Sequence, residues 1–163
     1  MFVSADRLGG LAVDDRFRQG LLTHLDRYRM AGQDVDVGAP RFMSLEVEMF
    51  VCVDHEHFRG DVERAIRRLF GAGVLPDGRR GVFHPDNFTF GQSVYLSPLY
   101  AAAESVAGVE SVEITKFRRQ GVAGTDATDT GVLEFGPLEI PRLDQDPDYP
   151  EHGKLTLAFG GGK

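Results

Sequence analysis

From Met43 to Val53 the chain alternates: Met43, Leu45, Val47, Met49, Val51 and Val53 are apolar, with Ser44, Glu46 and Glu48 between them. A period of two predicts a strand with one buried face. Phe50 and Cys52 break the polar row, which predicts that the later half of the strand is covered on both faces. Upstream, Phe17, Leu21, Leu25 and Tyr28 recur at spacings of four, four and three. They predict a helix, with Asp14 and Asp15 where the dipole favours anions and Gly32 beyond its end. Phe58, Val62, Ala65, Ile66 and Leu69 form the apolar stripe of a second helix. Its wet face carries Arg59, Glu63, Arg64, Arg67 and Arg68. Ser97 and Pro98 predict the opening of a third helix, as N-cap and first residue, and Gly108 its stop. Strands are expected in "MFVSAD", "VESVEITKF", "VLEFGPLEIPRL" and "KLTLAF". Residues 122–131 read as a polar loop and the "GGGK" tail as frayed.

This order predicts an α+β fold: a mostly antiparallel sheet with about three helices on one face and ferredoxin-like or split β-α-β elements. No internal repeat is visible. Residues 1–36 read as a small β-α element and 37–163 as the main α+β unit. The link between them is too short for independence. With 42% hydrophobic residues the chain can build a core, and 163 residues suit one domain with a small appendage. A net charge of −7 argues against nucleic-acid binding by phosphate neutralisation and against docking on anionic lipid. The short basic run at Arg118 does not change that balance. A single cysteine allows no internal disulfide and fits a reducing compartment. No apolar run approaches the ~20 residues a bilayer requires. "MFVSADRLGG" lacks the basic and apolar blocks of a secretory leader.

Candidate chemistry is sparse. His55 and His57, two apart among Asp54 and Glu56, would share one side of a strand, the geometry of half a metal site. They fall where strand gives way to helix, so a solvated turn is the expectation. His84-Pro85-Asp86 matches the triplet of J-domain co-chaperones, but neither flank is helical. A Pro-containing turn, with Asp86 or Asn87 bonding its own backbone, is expected instead. The terminal "GGGK" lacks the remaining elements of a phosphate loop. Cys52 alternates within a strand and has no neighbour that would activate it. Glu46 and Glu48 read as the wet face of that strand. No catalytic residue, metal ligand or cofactor site is expected, and the chain does not read as an enzyme.

The distinctive stretch is "GVFHPDNFTFGQSVYLSPLY", residues 81–100. Phe83, Phe88, Phe90, Tyr95 and Tyr100 put much apolar area into an irregular segment. Irregular backbone carries polar groups that need partners, so such segments seldom lie inside a domain. The rings therefore either fold back as a lid or meet another chain. Composition leaves both open.

"LPDGRRGVFHPDNFTFGQSVYLSPLYAAAESVAGVESVEITKF" resembles the C-terminal region of baseplate J-like proteins. The preceding "APRFMSLEVEMFVCVDHEHFRGDVERAIRRLF" is similar to the segment before it in that family. "GPLEIPRLDQDPDYPEHGKLTLAFGGG" resembles the ending of its putative baseplate assembly branch. Members of the family are usually longer, so the resemblance implies that this chain corresponds to their C-terminal part. It implies a structural wedge component of a contractile phage tail or tail-like injection system, cytoplasmic during assembly and then part of the particle. Partners would be other wedge subunits, further copies of the chain, and sheath or hub proteins. No catalytic residue carries over. The alternative from the residues alone is a small α+β ligand-binding or regulatory module. A metal site at His55 and His57 is a third option.

Overall fold

The alternating stretch is the axis of the molecule. The computed structural model describes residues 2–5, 7, 10–30 and 32–163. Met1 and Asp6 of the expected first strand, and Gly9 of the glycine pair after it, lie outside them. The elements run β1 (Phe2–Ser4), α1 (Asp15–Leu25), β2 (Asp36–Gly38), β3 (Arg41–Val53), α2 (Arg59–Leu69), β4 (Val94–Tyr95), α3 (Leu96–Glu104), β5 (Val109–Arg119), β6 (Val132–Leu133), β7 (Glu139–Arg142) and β8 (Lys154–Gly161).

β3 is central. Leu45, Val47, Met49, Val51 and Val53 are all buried, as the period of two requires. β5 pairs with it antiparallel, from Leu45↔Arg119 to Val53↔Val109. The ladder shifts between Glu48 and Met49 and between Cys52 and Val53, leaving Thr115 and Glu110 as extra residues. These bulges rephase β5 so that Phe117, Ile114, Val112 and Val109 stand opposite inward-facing residues of β3. On the other edge β7 and β8 both run parallel to β3. β7 pairs along Arg41–Ser44 and β8 along Glu46–Val53. They form one interrupted edge. Residues 143–153 leave it after Arg142 and return opposite Leu45, which makes them an Ω-loop.

That loop closes at a tight neck. Asp144 N–H donates to the His152 carbonyl at 3.0 Å. Gly153 has φ +110, and a Cβ there would stand 2.7 Å from Leu143 Cα. Only glycine combines that backbone with so close an approach.

The α+β class holds, with three α-helices and mixed sheets among the described residues. Two details differ from expectation. The main sheet is mixed rather than mostly antiparallel, because β7 and β8 reach the same edge of β3 in the same direction. Two helices, not three, feed the main core: Val62 and Ile66 of α2 with Phe70 after it, and Leu99 and Ala103 of α3. α1 has no buried residue. It belongs to a β-α-β unit in which β1 and β2 are parallel and adjacent rather than split. Val3 pairs with Val37 and Ser4 with Gly38, so that unit closes at Gly38 and a boundary after residue 36 cuts through β2.

Helix ends follow local chemistry. Asp14 caps α1, its carboxylate accepting from Phe17 N–H at 2.7 Å. Tyr28 lies past the end of that helix and is exposed. Phe58 is the N-cap of α2, 60% exposed and outside the buried stripe. α3 starts at Leu96, not after Ser97. Leu96 N–H is taken by the Gly131 carbonyl, so the helix begins against the small β4–β6 ladder. Pro98 still falls in the first turn, where a missing N–H costs nothing. The tail is tied rather than frayed: Lys163 N–H donates to the His57 carbonyl at 2.9 Å.

Candidate contact surface and a polar cavity

The aromatic segment is held by its own side chains. His84 Nδ1 accepts from Asp86 N–H at 3.2 Å. Asn87 Nδ2 donates to the carbonyls of Gly81 and Val82. Thr89 N–H donates to Gln92 Oε1, and Gly91 N–H to the Glu139 carbonyl. With these groups paired, irregular backbone can lie against the core at little cost. His84-Pro85-Asp86 is thus a turn, as expected, but the histidine supplies the capping acceptor and a 3-10 turn spans Pro85–Asn87.

The five rings separate by role. Phe83 is 2% exposed, between Phe70 at 6.4 Å and Phe88 at 5.7 Å between ring centres. It is a core residue and is not placed to touch another chain. Phe88 stacks on it and packs against the core as a lid. Tyr100 is partly buried, and its Oη accepts the Ile114 N–H at 3.0 Å beside the Thr115 bulge. Phe90 is half-buried. Tyr95, the N-cap of α3, is 55% exposed and is the ring of this set most available to a neighbour.

A second surface lies on the outward row of β3. Phe50 is 42% exposed, so this end of the strand is not covered on both faces as the sequence pattern implied. Its ring lies across β8 above Gly160, where any Cβ would stand 2.8 Å from the ring. Cys52 and Ala158 flank it on the same face. Along the row, Glu46, Glu48, Lys116 and Arg118 form a network: Lys116 to Glu48 at 2.6 Å, and Arg118 to Glu46 at 2.6 Å. Partial burial alone would raise the Glu46 carboxyl. The hydrogen bond and charge of Arg118, with the charge of Lys116, outweigh it and hold the group below its ordinary value. The face therefore pairs a charged band with an apolar end built on rigid strands. The sequence contained the signal, Phe50 in a polar row, but not its meaning. Burial by a second layer and exposure to a partner leave the same pattern.

Asp54, His55, Glu56 and His57 form a wet turn, in which the Asp54 carboxylate accepts from Glu56 N–H at 2.8 Å. His55 points into solvent, its side chain 89% exposed. Among the described residues no group of three or more His, Cys, Asp or Glu is arranged to hold a metal ion. Glu46 and Glu48 are bound into the charge network. Among the described residues no helix is long and apolar enough to cross a membrane.

A cavity of about 240 Å³ opens beside the aromatic segment, lined by Phe42, Phe83, His84, Pro141, Arg142 and Asp144. The Arg142 guanidinium lies over the Phe42 ring at 5.2 Å. Burial raises the Asp144 carboxyl above its ordinary value, an effect the charges of Arg142 and His152 only partly offset. Nothing local in the sequence marks Arg142 or Asp144. They meet only because β7 joins β3 in register and the Ω-loop folds back.

Comparison with models of known protein families finds no match, and no curated protein sequence matches the chain.

Proposed function

We propose that the chain is a structural contact module of a contractile phage tail or tail-like injection baseplate, working through protein–protein interfaces. The class is suggested by the resemblance of residues 39–70, 75–117 and 136–162 to baseplate J-like sequences. The observation that carries the contact role is Phe50. A large ring is spread across the open face of the central strand and is 42% exposed, area that a docking neighbour would cover. Tyr95, fixed at a helix cap, adds a second anchor. Both stand on rigid elements, so little entropy is lost when they are covered.

The test is sedimentation of the chain with its co-expressed neighbouring baseplate subunits. Phe50→Ser with Tyr95→Ser should abolish co-sedimentation while the isolated chain, lowered in denaturant midpoint by loss of the half-covered Phe50 ring, still folds cooperatively. Unaltered co-sedimentation would remove these residues from the contact and take the carrying observation from the proposal. The alternative of a ligand-binding module draws on one specific feature, the cavity at Arg142, which is compatible with either role.

A further inference from the structure

The cavity beside Phe42 contains two donors without acceptors. Among the described residues none accepts a hydrogen bond from Arg142. Its Nε is shut off from solvent with no partner, and its nearest carboxylate oxygen, Asp144 Oδ2, is 3.7 Å away. The Arg142 side chain is 24% exposed, and an ion pair of that length gives its N–H groups no good hydrogen-bond acceptor. With Nε closed off, the terminal Nη pair is the fork open to a ligand, and the Phe42 ring lies 5.2 Å from the guanidinium carbon, a setting that suits a planar two-oxygen acceptor. The second donor is His84. Its side chain is only 12% exposed. Because Nδ1 accepts from Asp86 N–H, the neutral ring carries its proton on Nε2, and no described residue accepts from that atom. Both residues line the same cavity.

The remaining walls select the ligand. Phe42, Phe83 and Pro141 supply apolar faces that suit a flat body. Asp144 sets the charge. Its Oδ2 stands 3.4 Å from His152 Nδ1 and contributes negative potential to one side of the cavity. Asp144 offsets part of the Arg142 charge, so a second negative charge on the ligand is opposed more strongly than the first and a monoanion is favoured over a dianion. We propose that this cavity is a binding site for a small monocarboxylate with a flat apolar body, the carboxylate taken by the Arg142 fork and the His84 Nε2–H. The site does not depend on the contact role proposed above.

The experiment titrates the full chain with benzoate, benzyl alcohol and inorganic phosphate, following backbone amide and His84 ring resonances by NMR. Benzoate should saturate with a dissociation constant of about 1 mM, the scale a fragment of that size reaches. The largest shifts should fall at Phe42, His84 and Arg142. Benzyl alcohol, of similar shape without the charge, should bind at least ~10-fold more weakly, the loss expected when a charge-assisted pair is removed. Arg142→Met, which keeps the stem over Phe42, should weaken benzoate to the level of the alcohol. Equal binding of benzoate and benzyl alcohol would reduce the site to a greasy cavity and overturn the proposal. So would tighter binding of phosphate, or no saturation by benzoate. The wild-type comparisons decide the matter even if the variant fails to fold.

Discussion

Single side chains decide which part of the aromatic segment is structural. Tyr100→Phe removes the acceptor for Ile114 N–H and leaves a partly buried donor unpaired beside a bulge. The expected loss is about 1–3 kcal/mol, read as a lower denaturant midpoint with unchanged slope. Phe88→Ala removes the ring stacked on Phe83. Being half-covered, it should cost less than the ~3–5 kcal/mol of a fully buried Phe, and it should loosen the fold rather than a complex. Glu46 gives a pH signature. Its folded pKa lies below the ordinary 4.5, so its pairing with Arg118 and Lys116 stabilises the protein above that value and is lost as pH falls through the lowered one. Thermal melts of wild type and Glu46→Gln should differ at pH 7 and converge below pH 4.5. Asp144 works in the opposite sense. Its pKa is raised from 3.8, so its contribution is fully present below that value and fades as pH rises through the raised one.

At the scale of elements, the Ω-loop neck is the most exacting joint. Gly153→Ala places a Cβ against Leu143 Cα on a backbone that L residues avoid. A cost above ~1 kcal/mol is expected, with faster amide exchange along β8 as the local readout. What the sequence revealed about elements follows from how local each signal is. β3 was legible because every second residue from Leu45 to Val53 obeys one rule. β5 was legible as a strand, but its inward residues fall at spacings of three, two and three. That pattern makes sense only once the bulges at Thr115 and Glu110 are known. The shared edge of β7 and β8 was not legible, since register against β3 is a long-range property. The start of α3 was misplaced because a carbonyl from residue 131, not the Ser97 hydroxyl, sets it. The burial of Phe83 was hidden for a related reason. The sequence shows an irregular segment, but not that Asn87, His84 and Gln92 satisfy its backbone.

At the scale of the whole molecule, a small β-α-β unit ending at Gly38 adjoins a mixed sheet. Helices α2 and α3 sit on the inner side of that sheet. Its outer side carries a charged band and Phe50. Of the rings that could either cover the core or meet another chain, Phe83, Phe88 and Tyr100 pack on their own core, and the proposed contact role falls to Phe50 and Tyr95. The direct test is quantitative mass spectrometry of contractile tails or tail-like particles purified from cells that express the chain. The account predicts the chain in fixed proportion to sheath and tube subunits, and its depletion from particles made with the Phe50→Ser, Tyr95→Ser variant. Intact purified particles that lack the chain altogether would contradict it.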